Sequence, residues 1–120
     1  MDLVNKVCLI TGGTRGIGAA SAIDLARRGA DLVLVGRVMD DEAISVKKTI
    51  EAEGRRCHLV IADLGKREDA ARCVEEAVAH FGRLDVLIHS AGGAVPGSVM
   101  DTSEDAWYAA FDVHVHAIFH

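Results

Sequence analysis

Four short runs of apolar, largely β-branched residues, Val7–Ile10, Asp31–Val35, Cys57–Ala62 and Leu84–Ile88, constrain this chain more than any other feature. Each run is nearly continuous in apolar residues instead of alternating with polar ones, as a strand covered on both faces must be. The segments between the runs carry a helical period and stop at Gly29, Gly54 and Gly82. Glycine there accepts the left-handed backbone that ends a helix. The clearest stripe is Ala70, Val74, Ala77, Val78 and Phe81. Strands joined by helical crossovers pair in parallel with right-handed connections. The expected fold is therefore α/β, a doubly wound parallel sheet in the order 3-2-1-4. Its ligand crevice would lie at the carboxyl ends of strands one and four.

The 120 residues suffice for one domain or part of one. Half are apolar, only 4% are aromatic and 12 are glycine, which suits helices packed closely on a parallel sheet and excludes a disordered chain. The net charge of −5 is dispersed in mixed-sign clusters such as Arg55-Arg56 and Glu75-Glu76. No basic stripe invites nucleic acid or a membrane surface. Cys8, Cys57 and Cys73 have no paired spacing and fit free thiols in a reducing cytosol, two of them within strands. The chain starts with no basic n-region, h-region or spanning segment, so a cytoplasmic location is expected. The last segment opens at Thr102 with Asp105 three residues on, resembling a capping box. It then places Trp107, Phe111, His114 and Ile118 on one helical face. His116 and His120 are four apart, yet nothing is spaced to complete a metal site, and no metal is expected.

The turn Thr11-Gly12-Gly13-Thr14-Arg15-Gly16-Ile17-Gly18 leaves the first strand and enters the first helix. In that context its glycines permit a tight bend, and absent Cβ atoms let the backbone approach an anion. The N–H groups and dipole of the helix then stabilise negative charge. A P-loop is excluded because no Gly-Lys-Ser/Thr sequence closes the turn, and the glycine spacing also departs from G-x-G-x-x-G.

This turn, together with Ala62-Asp63-Leu64 after strand three and Ser90-Ala91-Gly92 after strand four, resembles the short-chain dehydrogenase/reductase family. The likeness is to members similar to the 3-oxoacyl-carrier-protein reductases, and it covers all 120 residues. It implies that residues 1–120 are the N-terminal part of a Rossmann domain that binds NAD(P)(H) and moves hydride between that cofactor and a small carbonyl or alcohol substrate. Carried over by position, Gly12, Gly16, Ile17 and Gly18 would hold the pyrophosphate, with Thr14 and Arg15 in the same turn. Asp63 and Leu64 would meet the adenine, unless Asp63 serves only as a helix-start carboxylate. Ser90, Ala91 and Gly92 would lie along the ribose nearest the nicotinamide. The family usually has Asn-Asn-Ala-Gly there, whereas this chain has His89-Ser90-Ala91-Gly92. Family members commonly pair through the helix that begins here at Thr102, so a homo-oligomer is expected.

A carboxylate at the end of strand two would select NAD by binding the ribose hydroxyls. Gly36 stands there, followed by Arg37, and with Arg15 this predicts NADP over NAD through its 2′-phosphate, although Asp40 and Asp41 would weaken that field. The resemblance also implies a catalytic Ser and a Tyr-x-x-x-Lys pair, in which a neighbouring ammonium eases deprotonation of the phenol. The single tyrosine, Tyr108, is followed four residues on by Asp112, and no lysine occurs after Lys66. Tyr108 is therefore not expected to be catalytic, and the 120 residues alone are expected to bind cofactor without turnover. His114 falls at the position of the family's helix asparagine and is a candidate for proton shuttling, or a packed helix histidine. The other reading is a non-catalytic dinucleotide-binding or interaction module ending at His120.

Overall fold

The computed structural model describes residues 2–120. Strands β1 (Val7–Thr11), β2 (Asp31–Gly36), β3 (Cys57–Ile61) and β4 (Val86–His89) alternate with helices α1 (Gly16–Arg27), α2 (Asp41–Ala52), α3 (Arg67–Phe81) and α4 (Glu104–Phe111). After α4 the chain widens into a π-helical stretch, Asp112–His116, before a last turn at Ala117–Phe119. The strands form one parallel sheet in the order β3-β2-β1-β4, the expected doubly wound topology.

The continuous apolar runs divide between two cores because successive strand side chains point to opposite faces. Cys8, Ile10, Leu32, Leu34, Cys57 and Leu59 pack under α1 and α2 with Ala22, Ala26 and Ile50. Val7, Leu9, Val33, Val35 and Val60 pack under α3 with Ala70, Cys73 and Ala77. The helices meet the sheet largely through alanine, which brings their backbones close to a β-branched surface. All three cysteines are free and buried, and burial pushes the Cys57 thiol up to about 12 and Cys73 to about 11.

Three local expectations are corrected. On α3 the buried stripe is Ala70, Cys73 and Ala77, while Val74 and Val78 are 42% and 47% exposed. The small residues take the sheet-facing side and turn the larger valines outward. Strand four begins at Val86, because Asp85 is used as its anchor: the Oδ2 atom accepts the Val7 N–H at 2.9 Å, and Arg83 holds the same carboxylate at 2.7 Å. Finally, α4 is capped by Ser103, whose Oγ accepts the Ala106 N–H at 3.1 Å. Thr102 cannot cap it, since its hydroxyl donates to the Ser98 carbonyl at 2.9 Å. The π-helical stretch then rotates the chain so that Val113 and Ala117 pack on the core, leaving Trp107, Phe111 and Ile118 partly exposed.

Candidate functional site

β1 ends where the glycine turn begins, and the turn depends on backbone that other residues resist. Gly12 has φ +65° and Gly16 has φ +57°. A Cβ on Gly12 would sit 2.9 Å from the Ala91 nitrogen, and one on Gly18 would collide with the Gly12 carbonyl oxygen. Gly12 thus lets the turn approach the end of β4, and Gly18 lets α1 fold back on the turn. Arg15 precedes α1 with extended backbone, φ −158°, and no side chain caps the helix or places an acid in its first turn. The dipole and N–H groups of α1 are therefore left for an external anion.

The facing wall is fastened by one threonine. Thr11 Oγ1 accepts the N–H groups of Ser90 and Ala91 at 3.1 and 3.2 Å, and lies 2.8 Å from His89 Nδ1. His89 Nε2 is 3.0 Å from the Val113 carbonyl, which can only accept. With a proton on Nε2 the ring donates to Val113, and the Thr11 hydroxyl can then donate to Nδ1. This network ties β1, β4 and the π-helical stretch together. Beside it, His114 Nε2 lies 3.0 Å from the Gly93 carbonyl oxygen, and the imidazole covers Gly92, whose φ of +143° and missing Cβ give it room.

Between these walls runs a cleft of about 890 Å³, open at the carboxyl ends of β1 and β4. Its outer end holds Gly36, the last residue of β2, and Arg37 after it, with the Thr14 side chain seated against Gly36 where a Cβ would meet Thr14 Oγ1 at 2.7 Å. Arg15 is there too, its Nη2 atom 2.6 Å from Asp40 Oδ2 and its Nε atom 3.8 Å from Glu42. Asp40 also caps α2, Oδ1 accepting the Ala43 N–H at 2.9 Å. That backbone bond, with the Arg15 charge, keeps its carboxyl below the usual carboxylate range.

Of the residues singled out by sequence, Gly12, Thr14, Arg15, Gly16, Ile17, Arg37, Leu64, Ser90, Ala91, Gly92 and His114 line this cleft. Gly18 does not line it, and its missing Cβ makes room for the Gly12 carbonyl while its backbone N–H stays at the start of α1. Asp63 is used locally: its Oδ1 accepts the Gly65 N–H at 2.9 Å, its own N–H donates to Asp69, and it does not line the cleft. Arg15 and Arg37 share the outer end, but Arg15 is already paired with Asp40. Sequence reading missed the bridging role of Thr11 and His89. Its one signal was the histidine standing where the resemblance implied asparagine. His116 pairs with Asp112 at 2.9 Å, and no group of three or more metal-ligating side chains gathers among the described residues.

An open parallel sheet with its crevice at the strand order's reversal, entered by a glycine turn, defines a Rossmann-type nucleotide-binding fold. Comparison with known proteins makes this specific. The short chain dehydrogenase family model matches residues 6–120. An uncharacterized oxidoreductase of Mycobacterium tuberculosis is 41% identical over 113 residues, which are 94% of this chain and 43% of that protein. A short-chain dehydrogenase from Burkholderia cenocepacia, solved in complex with NADP, superposes with a TM-score of 0.94 at 37% identity, over 99% of this chain and 49% of that one. A short-chain dehydrogenase from Mycobacterium paratuberculosis, solved bound to NAD, superposes with a TM-score of 0.89 at 27% identity, again over 99% of this chain and 48% of its own. The chain belongs to the short-chain dehydrogenase family of oxidoreductases, and it spans less than half the length of these relatives. No helix among the described residues is long and apolar enough to cross a membrane.

Proposed function

We propose that the protein is an NADP-dependent oxidoreductase, transferring hydride to or from a small carbonyl or alcohol substrate, and that these 120 residues supply its cofactor site. The observation that carries the cofactor assignment is the outer end of the cleft, where Arg15 and Arg37 flank Gly36 in place of a carboxylate. Guanidinium groups bind a 2′-phosphate, whereas a carboxylate there would repel it and bind ribose hydroxyls instead. The two structural relatives hold NADP in one case and NAD in the other, so the choice rests on these residues.

The cleft suits a dinucleotide on its own geometry. The uncapped start of α1, bared by Gly12 and Gly16, would take the pyrophosphate through backbone N–H groups of Gly16, Ile17 and Gly18. Leu64 would flank the adenine, with Asp63 holding the turn behind it, and Ser90, Ala91 and Gly92 would border the other ribose. A bound nicotinamide dinucleotide supplies or accepts the hydride. His114, beside Gly92 and Gly93, would position that end of the cleft and offer an imidazole for proton movement. The phenol and ammonium that such chemistry needs are not paired here, since Tyr108 has Asp112 four residues on and is 58% exposed. In this reading the 120-residue chain binds cofactor and does not turn over, and the protein works in the cytoplasm as a homo-oligomer.

Titration with NADPH and NADH, followed by nicotinamide fluorescence, tests the assignment. NADPH should bind more tightly, and Arg37→Ala should weaken it about tenfold, the value of one charge-assisted phosphate contact, while NADH is unaffected. Equal affinities, or no effect of Arg37→Ala, would overturn it.

A further inference from the structure

The ion pair at the outer end of the cleft has one more partner than helix capping requires. Asp40 caps α2 with a single oxygen, Oδ1, which accepts the Ala43 N–H. Its second oxygen, Oδ2, is placed 2.6 Å from Arg15 Nη2, across 25 residues of sequence. Glu42 lies against the same edge of the guanidinium, 3.8 Å from Nε. The Nε and Nη2 atoms form the forked edge that grips a phosphate or carboxylate bidentately. In Arg15 that edge already faces two carboxylates, whereas Arg37, lining the same end, makes no ion pair among the described residues.

Resting on the NADP reading above, we propose that Asp40 sets the cofactor preference of this cleft by competing with the 2′-phosphate of NADP for the forked edge of Arg15. Two costs fall on NADP and not on NAD. Arg15 must leave Asp40 or share it, and the doubly charged phosphate must approach a fixed carboxylate. Both partners of the pair are substantially exposed, 55% for the Arg15 side chain and 38% for Asp40. The competition is therefore moderate, and a phosphate can displace the carboxylate. The carboxylate is ionised at neutral pH, so the competition operates under ordinary conditions.

The capping and competing roles separate chemically. In Asp40→Asn an amide oxygen can still accept the Ala43 N–H, since asparagine caps helices as well as aspartate does, but the charge opposing the phosphate is gone. Equilibrium binding of NADPH and NADH to the protein, at low ionic strength, should show NADPH binding roughly fivefold more tightly to Asp40→Asn. NADH affinity should not change, and the gain should shrink as salt is added. Asp40→Ser, which keeps a capping oxygen, should behave the same way, so a folding defect in one variant is recognisable. With Arg15→Ala already in place, Asp40→Asn should bring a smaller gain, because the competition is gone and only the direct repulsion between carboxylate and phosphate remains to be relieved. Unchanged or weakened NADPH binding in both Asp40 variants would overturn the proposal while leaving the NADP reading intact. If the unaltered protein shows no preference for NADPH and Arg37→Ala does nothing, both readings fall together.

Discussion

Gly18 shows how completely a single hydrogen atom can determine this site. Its missing Cβ is what allows the start of α1 to lie on the Gly12 carbonyl, so Gly18→Ala forces backbone against backbone, with no flexible side chain to yield. We expect Gly18→Ala to cost at least about 2 kcal/mol of stability in urea unfolding and to abolish measurable dinucleotide binding. A variant of native stability that still binds NADPH would refute that account. The glycine turn was legible in the sequence because its physics is local: a bend, a bare backbone and a helix start are all encoded within eight consecutive residues. Asp63 was half legible. The sequence allowed it to be either a ligand or a helix-start group, and one of its oxygens, Oδ1, accepts the Gly65 N–H in the turn ahead of α3. That Asp40 weakens the arginine field was legible, but its direct bond to Arg15 was not, since two charges 25 residues apart carry no pattern that fixes their distance.

Among the elements, the contact of β4 with β1 is the most exposed to pH. Asp85 receives the Val7 N–H and is gripped by Arg83, and the Arg83 hydrogen bonds, followed by the backbone bond, bring its carboxyl down to about 2. An unfolded chain would bind a proton at this group near 3.8. The folded state therefore binds fewer protons in that window, and stability rises with pH. The contribution is fully present above about 4 and is lost as pH falls through about 2. Denaturant unfolding of Asp85→Asn should accordingly show a shallower loss of stability between about pH 4 and pH 2 than the unaltered protein. Parallel slopes would contradict this. The four strands and their order could be read from the apolar runs and the length of the crossovers. Their edges could not, because Leu84 is apolar enough to continue a strand whose start is fixed by the Asp85 side chain. The face of the last helix was also misread. A regular period of 3.6 residues put Trp107, Phe111, His114 and Ile118 together, and the π-helical stretch breaks that register at Asp112–His116.

At the scale of the molecule, the sheet is well covered on both faces around β1 and β2, and much less so around β4 and the last helix. Leu87, Trp107, Phe111, Val115, Ile118 and Phe119 are between 40% and 87% exposed. Surface of that kind associates. The 120-residue polypeptide should sediment as an oligomer at micromolar concentrations, and a monodisperse monomer would count against this. The walls of the cleft have a different consequence. The turn leading into α1 belongs to the helical layer on one side of the sheet, and the π-helical stretch with Val113 and His114 belongs to the layer on the other. Anything lying along the groove leans on both leaves of the sandwich at once. The occupant is then a keystone as well as a guest, bracing the two layers across the end of the sheet they share.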